Sequence, residues 1–249
     1  MTEKVVLVTG SAKRVGAQII KTFHQQGFNC LIHCRHSIDE AEVLKQSLNK
    51  QRDNSVDVIQ ADLNQFEDIH QLAEQANQRF GRLDVLVNNA SSFYPTPVGD
   101  AISPHHWQDL FSSNAQAPLF LSNALAPALK KSQGCIINLT DIHAENPLRH
   151  HTIYCMAKAA LVMMTKSLAK ELAPDIRVNA VSPGAILWPE QTLTQDAKDQ
   201  VINEIALERM GSPEDIASTI YFLAQQAPYV TGQILAVDGG RSLGRHALA

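Results

Sequence analysis

Short β-branched runs alternate along this chain with longer stretches in which apolar residues recur every three or four positions. The short runs are Lys4 to Thr9, Asn29 to Cys34, Val56 to Gln60, Asp84 to Val87, Gly134 to Leu139, Ile176 to Val181 and Ile234 to Val237. They are apolar nearly throughout rather than alternating, as strands buried on both faces of a parallel sheet are. Between them, helices are predicted over about Arg14 to Gln26, Ile38 to Gln51, Gln65 to Phe80, Thr152 to Leu172 and Pro213 to Gln225, with a broken pair spanning Pro104 to Lys131. Strand and helix in strict succession imply right-handed crossovers and an α/β fold, a doubly wound parallel sheet of seven strands in three layers.

At 249 residues the chain suits one such domain, spanning 1–249, and no linker, repeat or low-complexity tract divides it. The one long irregular stretch, Pro183 to about Thr194, predicts a substrate lid over about 183–212. The formal charge of -4 and a pI near 6.2 give no footprint for nucleic acid. No apolar run approaches the roughly 18 residues that span a bilayer, and the N-terminus enters a strand without a signal-peptide pattern. A cytoplasmic protein with no membrane partner is therefore expected. Cys30, Cys34, Cys135 and Cys155 form no C-x-x-C pair and read as reduced, buried thiols. No His, Cys and carboxylate cluster has metal-ligand spacing, so no metal is expected.

In an open α/β sheet, ligands bind beyond the carboxyl ends of the strands. The polar residues that fall there are Gly10 to Gly16, Arg35 to Ser37, Asp62, Asn88 to Phe93, Thr140-Asp141 and Pro183-Gly184. The turn Thr9-Gly10-Ser11-Ala12-Lys13-Arg14-Val15-Gly16 joins the first strand to the first helix, the Rossmann-like setting in which glycines let backbone amides approach a pyrophosphate. Arg14 replaces the usual middle glycine; it either reaches phosphate or substrate or stays solvated, and Lys13 is equally open. After the second strand, where a carboxylate would read a ribose hydroxyl, the chain has His33-Cys34-Arg35-His36-Ser37. Such a cationic, hydroxyl-bearing pocket favours a 2'-phosphate and so NADPH, unless these side chains are simply solvated. Asp62, with Leu63 beside it, would accept from the adenine amine or else cap the next helix. Asn89 and Ala90 would lie along the nicotinamide half.

Asp141 precedes Tyr154 by thirteen positions, and Lys158 lies one helical turn beyond that tyrosine. Residues four apart share a helix face, so Lys158 is placed to lower the phenol pKa of Tyr154 and to hold a cofactor ribose. An acid, a phenol and an ammonium meeting one hydride acceptor describe a reductase. The alternative for Asp141 is a capping carboxylate.

Thr9-Gly10 with Gly16, Asn88-Asn89-Ala90, Asn114, Tyr154 to Lys158 and Pro183-Gly184 together resemble the short-chain dehydrogenase/reductase superfamily over nearly the whole chain. Arg14, Asp141 in place of the usual serine, the run Asn88 to Pro97, His33 to Ser37, Thr152-Ile153-Tyr154 and the C-terminal Asp238-Gly239-Gly240 with Ser242, Leu243 and Arg245 resemble the pteridine reductases within it. The resemblance implies a pterin held by Phe93 on one face and the nicotinamide on the other, although Phe93 could instead be core. It implies Ser91 and Arg14 on pterin or cofactor phosphate, Asp141 acting with Tyr154, Leu187 and Trp188 beside the pterin side chain, and Asn114, Pro183 and Gly184 near the cofactor. It further implies a homotetramer in which Arg245 either reaches a neighbour's site or lies in a frayed tail.

Pterin reduction needs hydride at a ring carbon and a proton at the adjacent nitrogen, a demand an aspartate meets better than a serine, whereas an anion would oppose the oxyanion that develops from a ketone. The implied course is reduction at C7 with Tyr154 protonating N8, then at C6 with water near Arg14 protonating N5. A ketone reductase of the same superfamily, on acyl carriers, sugars or steroids, is the competing enzyme. A catalytically idle NADPH-binding regulator is the competing class.

Overall fold

A computed structural model of the chain describes residues 3–99, 102–188 and 194–244. Among them, strands β1 (Val5–Val8), β2 (Asn29–Cys34), β3 (Val56–Gln60), β4 (Val85–Asn88), β5 (Cys135–Leu139), β6 (Arg177–Pro183) and β7 (Ile234–Val237) form one sheet in the order β3-β2-β1-β4-β5-β6-β7. Every neighbouring pair is parallel, which is why both faces of each inner strand are apolar.

Successive side chains on a strand point to opposite faces, and the two cores divide accordingly. Val6 and Val8 pack with Ile19 and Phe23 of α1 (Arg14–Gln25), Leu44 of α2 (Ile38–Asn49) and Ile216 of α8 (Pro213–Gln225). Val5 and Leu7 pack with Leu72 of α3 (Phe66–Arg79), Leu125 of α5 (Ala117–Ser132) and Leu168 of α6 (Thr152–Glu171). Each such fully buried aliphatic side chain contributes about 1.5–3 kcal/mol, so the sheet's tolerance for a polar substitution in these rows is low. The chain runs outward from β1 to β2 and β3, then crosses back to β4 on the other side of β1. That reversal leaves a crevice above the carboxyl ends of β1 and β4, the place where open α/β sheets bind ligands.

The expected broken pair is α4 (Pro104–Phe111) and α5, joined by a π-helical turn at Ser112–Gln116. The interruption is one residue of extra winding, a feature often found at functional positions, and Pro118 follows it in the first turn of α5. The predicted irregular stretch begins late, because β6 continues through Pro183, paired with Val237. A helix that the sequence pattern did not predict, α7 (Gln195–Asn203), follows it; the Thr194 side chain accepts from the Ala197 amide at 3.3 Å. None of its side chains is buried, so it carries no apolar periodicity to read. Of the expected lid over about 183–212, residues 189–193 lie outside the described residues. Among the described residues no helix is long and apolar enough to cross a membrane. The four cysteines are free and buried, and burial pushes the Cys135 thiol up to about 11.

Candidate active site

Two loops interlock at the switch point. Thr9, buried at the end of β1, accepts through Oγ1 from the amides of Asn89 (2.9 Å) and Ala90 (3.0 Å), and Asn89 Nδ2 donates back to the carbonyls of Thr9 (2.7 Å) and Gly10 (2.9 Å). A Cβ on Gly10, whose φ is 61°, would sit 2.9 Å from Ala90 Cα, and one on Gly16 would sit 2.5 Å from the Gly10 carbonyl oxygen. Both glycines are therefore demanded by close backbone approach. Arg14, where a glycine is usual, has a left-handed backbone with φ 54°, an uncommon conformation for a side-chain-bearing residue. A cavity of about 380 Å³ opens here, walled by Gly10, Lys13, Arg14, Val15 and Gly16 of the turn, by Asn89, Ala90 and Ser91 opposite, and by His33, Arg35, Asp62 and Leu63 at one end. Asn64, Ser92 and Ser113 also line it.

His33 corrects the expectation of a cationic corner. It is buried, its Nδ1 accepts from the Gly10 amide at 3.0 Å, and its Nε2 donates to the Ala61 carbonyl at 3.1 Å. Burial brings its pKa down to about 4, against the raising effects of the Ala61 bond and of Asp62. The imidazole is thus a neutral strut that ties the glycine turn to β2, and the local positive charge rests on other side chains. Arg35 is one of them, but its Nε lies 3.1 Å from Asp62 Oδ1 and its Nη1 3.9 Å from Asp109 Oδ1. Asp62 does not cap α3; its Oδ1 accepts from the Asn64 amide at 3.0 Å while Gln65 holds the cap position. Lys13 pairs with Glu40 at 2.5 Å. His36 and Ser37 lie outside the cavity wall, Ser37 preceding α2.

The predicted acid, phenol and amine meet. Tyr154 donates through its hydroxyl to Asp141 Oδ2 at 2.7 Å, and Asp141 Oδ1 accepts from the His143 amide at 2.8 Å. One carboxylate thus caps the short 3-10 turn Ile142–Ala144 and grips the phenol, so the two readings of Asp141 are not alternatives. Lys158 is buried, donates to the Leu139 carbonyl at 2.8 Å and has Nζ 5.7 Å from the Tyr154 ring centre. Burial brings its pKa down to about 8, and the Asp141 charge works against that fall. For Tyr154 the expected direction is reversed: burial first, then the Asp141 charge and bond, raise the phenol well above its usual range, while the neighbouring Ser91 hydroxyl opposes them. Tyr154 sits in a small apolar cluster with Leu110, Ile153 and Cys155, which is the source of that desolvation.

Asn114 lies within the π turn and is spent on scaffolding. Its Nδ2 donates to the carbonyls of Ser92 and Leu110, both at 2.9 Å, and its Oδ1 accepts from the Ser91 hydroxyl at 2.7 Å. The Ser92 amide donates to Ser113 Oγ at 3.1 Å. The extra winding of the helix thus anchors the loop that carries Phe93. That ring is half exposed, meets Tyr154 edge-on at 4.8 Å and lies flat on His151 at 4.7 Å with 12° between the planes. His151 was not among the sequence candidates; nothing in its local pattern announces a contact with a residue 58 positions earlier.

Pro183 ends β6 and Gly184 follows it; neither is among the residues that line the cavity, and a Cβ on Gly184 would strike Asp238 Cβ at 2.6 Å. Leu187 is exposed, and the Trp188 ring faces Lys198 Nζ at 5.8 Å. Arg245 lies outside the described residues.

A parallel sheet of this order, with a glycine turn over its switch point and a buried phenol beside an acid and an amine, defines a Rossmann-like oxidoreductase. Residues 10–242 match the family model described as Enoyl-(Acyl carrier protein) reductase. The chain is 37% identical to pteridine reductase 1 of Leishmania tarentolae over 98% of each chain. It is 33% identical to a 3-oxoacyl-(acyl-carrier-protein) reductase of Staphylococcus epidermidis, over 95% of this chain and 98% of that one. With L-fucose dehydrogenase of Bos taurus the figure is 32%, over 97% and 90%. The chain belongs to the short-chain dehydrogenase/reductase family.

Proposed function

We propose that this oxidoreductase is an NADPH-dependent pteridine reductase. The observation that carries the reading is the 2.7 Å bond from the Tyr154 phenol to a carboxylate, Asp141, with the half-exposed Phe93 ring 4.8 Å from that phenol's ring. The 37% identity to a protein named pteridine reductase 1 supports it.

The residues present fit NADPH. The close-packed Gly10 to Gly16 turn, the N-terminus of α1 and the cations Lys13, Arg14 and Arg35 border one cavity of about 380 Å³, a setting suited to phosphates. Asn89, Ala90 and Ser91 would flank the nicotinamide half, and Lys158 would reach the adjoining ribose. When bound, NADPH supplies the hydride.

The chain's own residues manage the proton. Because its pKa is held high, Tyr154 stays protonated across the neutral range and is charged with the proton that N8 receives as C7 is reduced. Lys158 steadies the phenolate left behind, and Asp141 draws a proton back to it from water. Ser91 and Arg14 orient the flat guest against Phe93, and Arg14 holds the water that protonates N5 in the second reduction. Leu187 and Trp188 would border its side chain. An anion at Asp141 would oppose the oxyanion that forms from a ketone, which disfavours acyl-carrier substrates despite the 33% identity to an enzyme acting on them.

Exposed Met156 and Met163 on α6, and Leu235 on the edge strand β7, support assembly of the enzyme as a homotetramer, and we place it in the cytoplasm. The test is loss of NADPH absorbance with biopterin, dihydrobiopterin, folate and an acetoacetyl thioester offered separately. Turnover of the pterins and not of the thioester is expected; the reverse would refute the proposal.

A further inference from the structure

We infer that His151 is a positioning residue for the substrate, setting the plane of the Phe93 ring by covering one of its two faces. The inference rests on the pterin reading above, and it assigns a function to a side chain that carries none there.

An aromatic ring has two faces and one edge to offer. At Phe93 the Tyr154 ring stands nearly perpendicular, at 77° and 4.8 Å between centres, and one face is covered by the His151 imidazole at 12° and 4.7 Å. With 54% of the residue still exposed, the remaining face is what a flat guest can use. The Phe93 loop has no helix or strand of its own to hold that ring upright. Offset or parallel stacking has a shallow but real preference, and a second ring behind the first limits its tilt.

The imidazole is itself held. Its Nδ1 donates to the Arg149 carbonyl at 2.8 Å, which fixes the ring's rotation. Its backbone caps α6 and its carbonyl accepts from the Cys155 amide at 2.9 Å, so the ring rides on the same helix that carries Tyr154. The turn that delivers it is strained: His150 has φ 66°, and its carbonyl accepts from the Thr96 amide at 2.6 Å, pinning the Phe93 loop to the same place. A side chain held in the left-handed region persists only where its surroundings insist on it. Phe93 and the phenol are thereby held by one rigid element, and the stack sets the plane on which the guest is bound.

The test separates KM from kcat on the full-length enzyme. His151→Ala is expected to raise KM for dihydrobiopterin about 3- to 10-fold, the range one aromatic pair contributes, with kcat and the NADPH dissociation constant changed less than about twofold. His151→Phe, which keeps a flat ring, is expected to restore KM. The increase should be the same for a pterin lacking a side chain at C6, because the ring and not the substituent is being aligned. Unchanged KM in His151→Ala, a lowered KM, a His151→Phe variant as poor as the alanine one, or an effect confined to pterins with a side chain would each overturn the inference. A wild-type enzyme inactive on every pterin would instead overturn the reading of function, and fluorescence quenching of NADPH-loaded enzyme by pterin would still report the stack. Equal thermal melting of the variants and wild type establishes that folding is not the cause.

Discussion

The phenol of Tyr154, itself buried, and the half-buried carboxylate of Asp141 share a 2.7 Å hydrogen bond. The pairing ties the proton donor's acidity to a neighbouring negative charge. In Asp141→Asn that charge is gone while an amide of the same shape remains, so the phenol pKa falls. The alkaline limb of the kcat profile is expected to move to lower pH, with kcat for the oxidised pterin lower by about 100-fold. A profile with an unmoved alkaline limb would detach Asp141 from the acidity of Tyr154.

Tyr154→Phe removes the hydroxyl that donates to Asp141 Oδ2 and leaves the ring that Phe93 meets. Reduction of the fully oxidised pterin should fall by at least about 100-fold. NADPH binding, measured by fluorescence titration, should stay within about twofold, because the turn at Gly10 to Gly16 is untouched. Wild-type turnover of the oxidised pterin by this variant would remove Tyr154 from the chemistry.

His33 links stability to pH. Its pKa is about 4 in the fold against its ordinary 6.5, so between those values the unfolded chain holds a proton that the folded one does not. Stability therefore falls as pH drops through that window, by up to about 3 kcal/mol for this group. Urea midpoints measured across it should show the slope, and His33→Asn should flatten it by that amount; an equal slope in the variant would assign the effect elsewhere.

Gly16→Ala would put a methyl 2.5 Å from the Gly10 carbonyl oxygen and 2.7 Å from Asn89 Nδ2. Neither neighbour can yield without opening the interlocked loops. A loss of about 1–3 kcal/mol in stability is expected, with NADPH affinity weakened at least about tenfold as the amides turn away. Calorimetry and titration measure the two separately, and a variant with wild-type values of both would show that the loops give way freely.

Much of the architecture could be read because its determinants are local. Continuous apolar runs such as Val5 to Val8 identify inner parallel strands, and their regular spacing with helices leaves one class of fold. The glycine turn and the Tyr154 to Lys158 spacing were legible for the same reason: one needs a turn between strand and helix, the other needs 3.6 residues per helical turn. Helix α7 was not legible, since it buries nothing and so has no pattern. The charge on His33 was not legible either, because a histidine in a strand looks the same whether its ring meets solvent or, as here, the Gly10 amide and Ala61 carbonyl.

By itself the sequence determined the order of strands and helices, the continuous apolar character of the inner strands, and the set of residues gathered at the carboxyl ends of the strands. All of these follow from periodicity and short-range sterics. Only the tertiary structure decided that Tyr154 is made less acidic and not more, that His33 is neutral, that Asn114 is consumed in anchoring the Phe93 loop, and that His151 lies flat on Phe93. Those outcomes depend on burial and on partners far apart in the chain, and desolvation and stacking act through space, where spacing along the chain carries no information.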